Sequence, residues 1–125
     1  MDRPTVVIIE DAIELAESLE DVFALHGFLV KTVRTAHAGI ELALTEKPQL
    51  ILLDIRLPDY SGYDVYRSIR ADAWGATATI MILTATETPD VIAKKIDLPI
   101  EAILYKPTTN LQTIVMTAQQ LLKGN

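Results

Sequence analysis

The sequence of 125 residues contains no cysteine, which excludes disulfide scaffolds, thiol catalysis and cysteine metal sites. The absence fits a cytoplasmic location, which we expect for this chain. Long apolar runs are also missing. The longest weakly polar stretch, residues 74–86, contains several threonines and is too short to cross a bilayer. The polar start leads only into the short apolar run 6–9, so neither a signal peptide nor a membrane anchor is expected.

Basic residues are in the minority. The chain carries 17 acidic and 11 basic residues, which give a formal net charge of -6. Nucleic acids attract proteins that present basic patches, so direct binding of DNA or RNA by this chain is not expected. Half of the residues are apolar, which is enough to build the core of one domain. We expect a single domain over residues 1–125.

Short apolar runs alternate with amphipathic stretches along the chain. The apolar runs predict five strands, at residues 6–9, 28–33, 50–53, 79–83 and 102–105. Helical spacing of apolar residues predicts five helices, at residues 12–26, 36–46, 63–70, 89–96 and 111–123. This alternation predicts an α/β fold, a doubly wound five-stranded parallel sheet with helices on both faces. Lys31 suggests that the second strand lies at a sheet edge.

Polar side chains follow four of the predicted strands. In such sheets, ligands bind beyond the carboxyl ends of the strands. The residues expected at that edge are Glu10, Asp11, Asp54, Thr84 and Lys106. Three crowded carboxylates repel one another, so the cluster must either hold protons at raised pKa or be neutralised by a cation. With only oxygen ligands available, the default ion is Mg²⁺.

A metal ion, an ammonium group and a hydroxyl that face one carboxylate form a site for a phosphoryl group. Mg²⁺ and Lys106 would neutralise charge on the transferring oxygens, and Asp54 would act as the nucleophile. The product would be an aspartyl phosphate.

Four short motifs occur in order at the ends of the predicted strands. They are residues 6–11 (VVIIED), 52–58 (LLDIRLP) with Gly62, 82–85 (ILTA) and 105–107 (YKP). Together they make nearly the whole chain resemble the receiver domain of two-component response regulators, which has a flavodoxin-like fold. The resemblance implies a phosphorylation-dependent switch that receives its phosphoryl group from a sensor histidine kinase or a phosphotransfer protein. An output domain or a homodimer would read the fourth helix, fifth strand and fifth helix.

The resemblance also implies a role for each site residue. Magnesium would be held by three carboxylates and one backbone carbonyl, those of Glu10, Asp11, Asp54 and Arg56. Asp54 would accept the phosphoryl group, Thr84 would donate a hydrogen bond to it after activation, and Lys106 would pair with it. The chain would thus be no enzyme with a separate substrate, but a phosphoacceptor that assists its own phosphorylation and dephosphorylation.

Two backbone features are implied as well. The Lys106–Pro107 bond would be cis, and Gly62 would permit the tight turn after the phosphorylation loop. The sequence departs from the family pattern at Ile103, where receivers usually carry a Tyr or Phe that rotates on activation. Further departures are residues 98–99, Leu-Pro where an Ala-Gly pair is common, and Thr108, where an aromatic is common. We therefore expect intact phosphorylation chemistry with an unusual readout.

Two other functions remain open. One is a receiver-like protein-interaction module that is not phosphorylated. The departure from the family pattern at Ile103 favours this function. The other is a magnesium-dependent phosphatase with an aspartyl nucleophile. Such enzymes usually have a second aspartate two residues after the nucleophile, where this chain has Arg56. In the receiver reading, the Arg56 side chain would influence the lifetime of the acyl phosphate, or it would merely face solvent.

Overall fold

Strands and helices alternate in the computed structural model, which describes residues 3–124. The strands are β1 Thr5–Ile9, β2 Leu29–Val33, β3 Leu50–Asp54, β4 Ile80–Thr84 and β5 Ile103–Tyr105. The helices are α1 Ile13–Leu25, α2 Ala36–Glu46, α3 Gly62–Ala71, α4 Pro89–Ala93 and α5 Leu111–Lys123. Within residues 3–124, no helix has the length and apolar character needed to cross a membrane.

The five strands form one parallel sheet in the order β2-β1-β3-β4-β5. This order confirms the predicted doubly wound fold. The central strands β3 and β4 are buried along their whole length, as their unbroken apolar runs predict for a parallel sheet covered on both faces. Strand β2, which carries the exposed Lys31, lies at one edge, as predicted.

Alternate residues of the central strands supply two separate core layers. Val7, Ile51 and Ile82 point to the layer shared with α2, α3 and α4. Val6 and Leu52, one residue out of phase, point to the opposite layer, shared with α1 and α5. The two-residue period of a strand therefore distributes one apolar run over both faces of the sheet.

Helix ends are set by local hydrogen bonds and by one glycine. Gly27 follows α1 with a φ of +89°, a left-handed conformation that favours glycine. The Ser61 hydroxyl accepts the Tyr63 N–H at the start of α3, and the Asp64 carboxylate accepts the Ser61 N–H. Helix α4 is shorter than the predicted 89–96. Beyond Ala93 the chain continues only as turns that return to the Ile92 carbonyl.

The predicted cis bond between Lys106 and Pro107 is wrong for this structure. Among residues 3–124, every peptide bond is trans. Residues Lys106–Thr108 form a single 3-10 turn, which the Thr109 N–H closes on the Lys106 carbonyl at 3.3 Å. A trans proline fits the first turn of such a helix because its fixed φ is already helical and no N–H is required there.

Candidate functional site

The carboxyl ends of β1, β3, β4 and β5 meet at one edge of the sheet. Asp54 is the last residue of β3 and pairs in register with Leu83, one residue before Thr84. Glu10 follows β1 directly, and Lys106 follows β5. Asp54, Glu10 and Thr84 are all buried. The parallel topology thus brings together polar side chains that are distant in sequence, as predicted.

Lys106 places a positive charge at this edge of the sheet. Its Nζ donates a hydrogen bond of 2.8 Å to Glu10 Oε1 and lies 3.3 Å from Asp54 Oδ2. The other Glu10 oxygen, Oε2, accepts the Ala12 N–H at 3.1 Å. One ammonium group therefore faces two buried carboxylates, so a net negative charge remains. A further cation at this position would be favoured.

The pKa values of the site reflect burial together with this imbalance of charge. Burial, followed by the negative charge of Glu10, raises the pKa of Asp54 from 3.8 to about 6, although Lys106 acts in the opposite direction. Burial alone would lower the pKa of Lys106, but the hydrogen bond to Glu10 and the charge of Asp54 outweigh it and raise that pKa. Asp54 is therefore still ionised at neutral pH, and Lys106 remains charged.

Three carboxylates are close enough to share a metal ion. Glu10, Asp11 and Asp54 each offer an oxygen atom, and these oxygens all lie within 4.8 Å of one another. Asp11 is exposed, while the other two are buried, so an ion held by all three would have a side open to solvent. A donor set of oxygen atoms with an open side fits Mg²⁺, which keeps several of its waters. The three predicted carboxylate ligands are thus adjacent.

The loop after Asp54 is tied back to the site. The Arg56 N–H donates to Asp54 Oδ1 at 3.3 Å, while the Arg56 side chain is exposed. The Gly62 N–H donates to the Ile55 carbonyl at 2.7 Å. A Cβ on Gly62 would lie 2.4 Å from the Asp54 carbonyl oxygen. Gly62 therefore permits a close approach of two backbone segments where the chain turns after this loop into α3.

Thr84 is the last residue of β4, and its hydroxyl points to the loop that follows. It donates a hydrogen bond of 2.8 Å to the Glu87 carbonyl. The Glu87 carboxylate accepts a 2.7 Å hydrogen bond from the Tyr63 hydroxyl and a second one from Lys95 Nζ. Lys95 Nζ also lies 5.2 Å from the centroid of the Tyr63 ring. This cluster could not be predicted from the sequence, because no motif links residues of α3 to the loop after β4.

Glu87 and Tyr63 influence each other's titration. The hydrogen bonds from Lys95 and Tyr63 hold the pKa of Glu87 below its ordinary value. Burial and the neighbouring Glu87 carboxylate raise the pKa of Tyr63. Both shifts keep Glu87 a carboxylate and Tyr63 a protonated phenol at neutral pH, as the hydrogen bond from the Tyr63 hydroxyl to the Glu87 carboxylate requires.

The fold and this acidic edge with its single lysine define a class of proteins. They are doubly wound α/β domains with a carboxylate at the end of the third strand. The profile of the response regulator receiver domain matches residues 6–119. The chain therefore belongs to the response regulator receiver domain family of two-component signalling, as the sequence motifs predicted.

The curated relatives are longer regulators. The transcriptional regulatory protein CusR of Escherichia coli K12 is 31% identical over 119 residues, which cover 95% of this chain and 52% of CusR. The DNA-binding response regulator MtrA of Mycobacterium tuberculosis H37Rv is 31% identical over 90 residues, 72% of this chain and 39% of MtrA. The chain thus spans about half the length of CusR, and the segment aligned with MtrA is shorter still.

Solved structures agree on the fold. The chemotaxis response regulator CheY4 of Vibrio cholerae superposes with a TM-score of 0.85 at 20% identity, over 95% of this chain and 98% of CheY4. The non-phosphorylated HemR receiver domain of Leptospira biflexa gives a TM-score of 0.83 at 20% identity, over 96% and 94% of the two chains. At this identity the likeness concerns the fold alone.

Proposed function

We propose that this receiver domain is a phosphorylation-dependent switch in which Asp54 accepts a phosphoryl group. The donor would be a phosphohistidine on a sensor histidine kinase or a phosphotransfer protein. The observation that carries the proposal is the convergence of three carboxylates and Lys106 Nζ at the carboxyl edge of the sheet. Mg²⁺ would be held by the carboxylates of Glu10, Asp11 and Asp54 and by the backbone carbonyl of Arg56.

The chain's own groups would carry the transfer. An Asp54 carboxylate oxygen forms the new bond to phosphorus while the bond between phosphorus and the histidine nitrogen breaks, and that nitrogen keeps the electron pair. Lys106 Nζ, already 3.3 Å from Asp54 Oδ2, is placed to pair with an oxygen of the transferred group. The Thr84 hydroxyl would donate to another. Bound Mg²⁺ would neutralise negative charge on the phosphoryl oxygens.

In this role the protein would act on no separate substrate, because the group that it modifies is its own Asp54. The phosphoryl group would favour an active arrangement that already exists in the equilibrium, and water would later remove the group with help from the same site. An output domain or a second copy would read the surface formed by α4, β5 and α5. CusR is named a transcriptional regulator and MtrA a DNA-binding one. In this acidic chain, we propose that any such output is reached through a partner or an attached domain.

Mass measurement of the intact protein tests the proposal. The chain is incubated with Mg²⁺ and a small acyl-phosphate donor, and we expect one added phosphoryl group. Asp54→Asn should gain none, whereas Asp21→Asn, which changes an exposed acid of α1, should behave like the wild type. Chelation of Mg²⁺ should abolish the addition. If the folded wild type gains nothing from this donor or from a phosphorylated kinase, the interaction module becomes the better description. A cytoplasmic location remains a prediction.

A further inference from the structure

Glu87 connects the candidate phosphorylation site to two helices. Its backbone carbonyl accepts the Thr84 hydroxyl, and its carboxylate accepts Tyr63 from α3 and Lys95 from the turns after α4. The Tyr63 ring also lies 5.9 Å from Arg67 Cζ. One residue thus joins the end of β4, helix α3 and the segment that follows α4. We call Tyr63, Glu87 and Lys95 the Glu87 cluster.

The Thr84 hydroxyl cannot donate to the Glu87 carbonyl and to a phosphoryl oxygen at the same time. A hydroxyl carries a single hydrogen and can donate to one acceptor at a time. If the Thr84 hydroxyl donates to a phosphoryl oxygen, it must release the Glu87 carbonyl, which then needs another donor or water. Release of this carbonyl frees the backbone from which the Glu87 side chain projects.

The segment beside Glu87 is short and packs on the core chiefly through Ile92 and Ile96, and the Tyr66 hydroxyl donates to the Asp97 carbonyl just beyond it. Helix α4 has only five residues, of which Ile92 alone is buried. Its first residue is Pro89, which donates no hydrogen bond, and its last turn loosens into turns through Ile96. A short helix with few internal bonds depends on tertiary contacts, and the Glu87 cluster is such a contact.

In the neighbouring strand, Ile103 provides no polar alternative for this connection. Ile103 in β5 is 3% exposed and packs in the core with Ile82 and Ile92. Its branched aliphatic side chain cannot donate or accept a hydrogen bond, and its χ1 angle is restricted. Within the described residues, the hydrogen-bonded route from Thr84 to the α4 segment therefore runs through Glu87.

We propose that Glu87 is a positioning residue that holds Thr84 and the α4 segment in the resting arrangement, and that phosphorylation of Asp54 loosens the Glu87 cluster. This inference rests on the proposed function of Asp54. An exposed ion pair alone contributes little to such an equilibrium. Here the Glu87 side chain is only 28% exposed and accepts two side-chain hydrogen bonds. We therefore expect the cluster to change the equilibrium between the resting and active arrangements several-fold.

Binding of Mg²⁺ and beryllofluoride, a phosphoryl analogue that cannot be transferred, tests the inference. If the cluster favours the resting state, its removal raises the fraction of the binding-competent state and thereby the apparent affinity. We expect Glu87→Ala and Lys95→Gln to bind the analogue about three- to tenfold more tightly than the wild type. Lys94→Gln is the matched control, because Lys94 is the adjacent exposed lysine outside the cluster, and its affinity should be unchanged.

Hydrogen exchange without the analogue provides the second readout. Glu87→Ala should exchange the amides of residues 85–96 at least severalfold faster, with the central strands unaffected. Unchanged or weaker analogue binding by both cluster variants, or unchanged exchange, would overturn the inference while leaving Asp54 as the acceptor. If the wild type binds no analogue and Asp54 accepts no phosphoryl group, the proposed function fails, and this inference fails with it.

Discussion

At the scale of single residues, Asp54 is subject to opposing electrostatic influences. Burial and Glu10 favour its protonated form, while Lys106 and the Arg56 N–H favour the carboxylate. The first two prevail, and burial is the larger of them. Lys106 Nζ lies 2.8 Å from Glu10 Oε1 and 3.3 Å from Asp54 Oδ2. Because ionisation of Asp54 costs free energy here, a bound cation that stabilises the carboxylate would be favoured.

The raised pKa of Asp54 makes the stability of the metal-free protein depend on pH. The folded value is about 6 and the ordinary value 3.8, so between these pH values the folded state binds more protons than the unfolded one. The free energy of unfolding should therefore fall as pH rises from about 4 to about 6. With allowance for screening by solvent near the site, we expect Asp54→Asn to be about 1–2 kcal/mol more stable than wild type at pH 7.

Urea unfolding in the presence of a chelator measures this difference. The two proteins should have nearly equal stability at and below about pH 4, where Asp54 is protonated in the folded state. They should diverge as the pH rises from about 4 to about 6 and keep a constant difference above that. Lys106 keeps Glu10 as its partner in the variant, so no buried ammonium group is left unpaired. Equal stability at both pH values would show that the ionised Asp54 is not destabilising.

At the scale of secondary-structure elements, apolar periodicity predicted the strands and the long helices well. The runs at 50–53 and 79–83 became β3 and β4 almost unchanged, because buried strands of a parallel sheet need continuous apolar residues. The end of α4 was predicted less well, because its few apolar residues provide little periodicity. The trans bond at Pro107 was not predicted at all, since the isomer of a peptide bond depends on the surrounding structure.

The start of α3 provides a test of how closely two elements must approach. A Cβ on Gly62 would lie 2.4 Å from the Asp54 carbonyl oxygen and 2.6 Å from Ile55 Cα, both backbone atoms that no rotamer change can move. We expect Gly62→Ala to destabilise the protein by about 2–3 kcal/mol, and to slow phosphorylation because the shift displaces Asp54.

Chemical unfolding and timed phosphorylation of the same variant check both effects. Gly124→Ala is the matched control, because its Cβ would meet its nearest atom at an ordinary 3.4 Å near the end of α5. That control should stay within about 0.5 kcal/mol of the wild type. If Gly62→Ala were as stable as the wild type, the end of β3 and the start of α3 could move apart without a loss of stability.

At the scale of the whole molecule, the site is assembled from the ends of four strands that two core layers hold in register. Its carboxylates and lysine could be predicted from sequence, because the topology of a parallel sheet places strand ends together. The contact between Tyr63 and Glu87 could not, because Glu87 lies in the irregular loop after β4 and meets a residue of a different element, helix α3. Such contacts depend on loop conformation, which has no periodic signal in the sequence.

Metal binding should be visible in the stability of the entire domain. An ion that binds only the folded state stabilises it by mass action, by about 2.7 kcal/mol at one hundred times its dissociation constant. For a domain of this size, that corresponds to an increase in Tm of roughly 10 °C. A substitution at Asp11 can distinguish an effect on metal binding from an effect on folding. One of its carboxylate oxygens lies within 4.8 Å of oxygens of the other two candidate ligands, yet the residue is exposed.

Thermal unfolding with and without Mg²⁺ provides the measurement. The wild type and the Asp21→Asn control should show the full increase in Tm. Asp11→Asn should match the Tm of the wild type without metal and lose most of the increase, because an exposed carboxylate contributes little to the apo fold but supplies a ligand charge. If Asp11→Asn retained the whole increase, the ion would be bound elsewhere. The transfer chemistry proposed for Asp54 would then lack the metal that its neighbouring carboxylates are suited to hold.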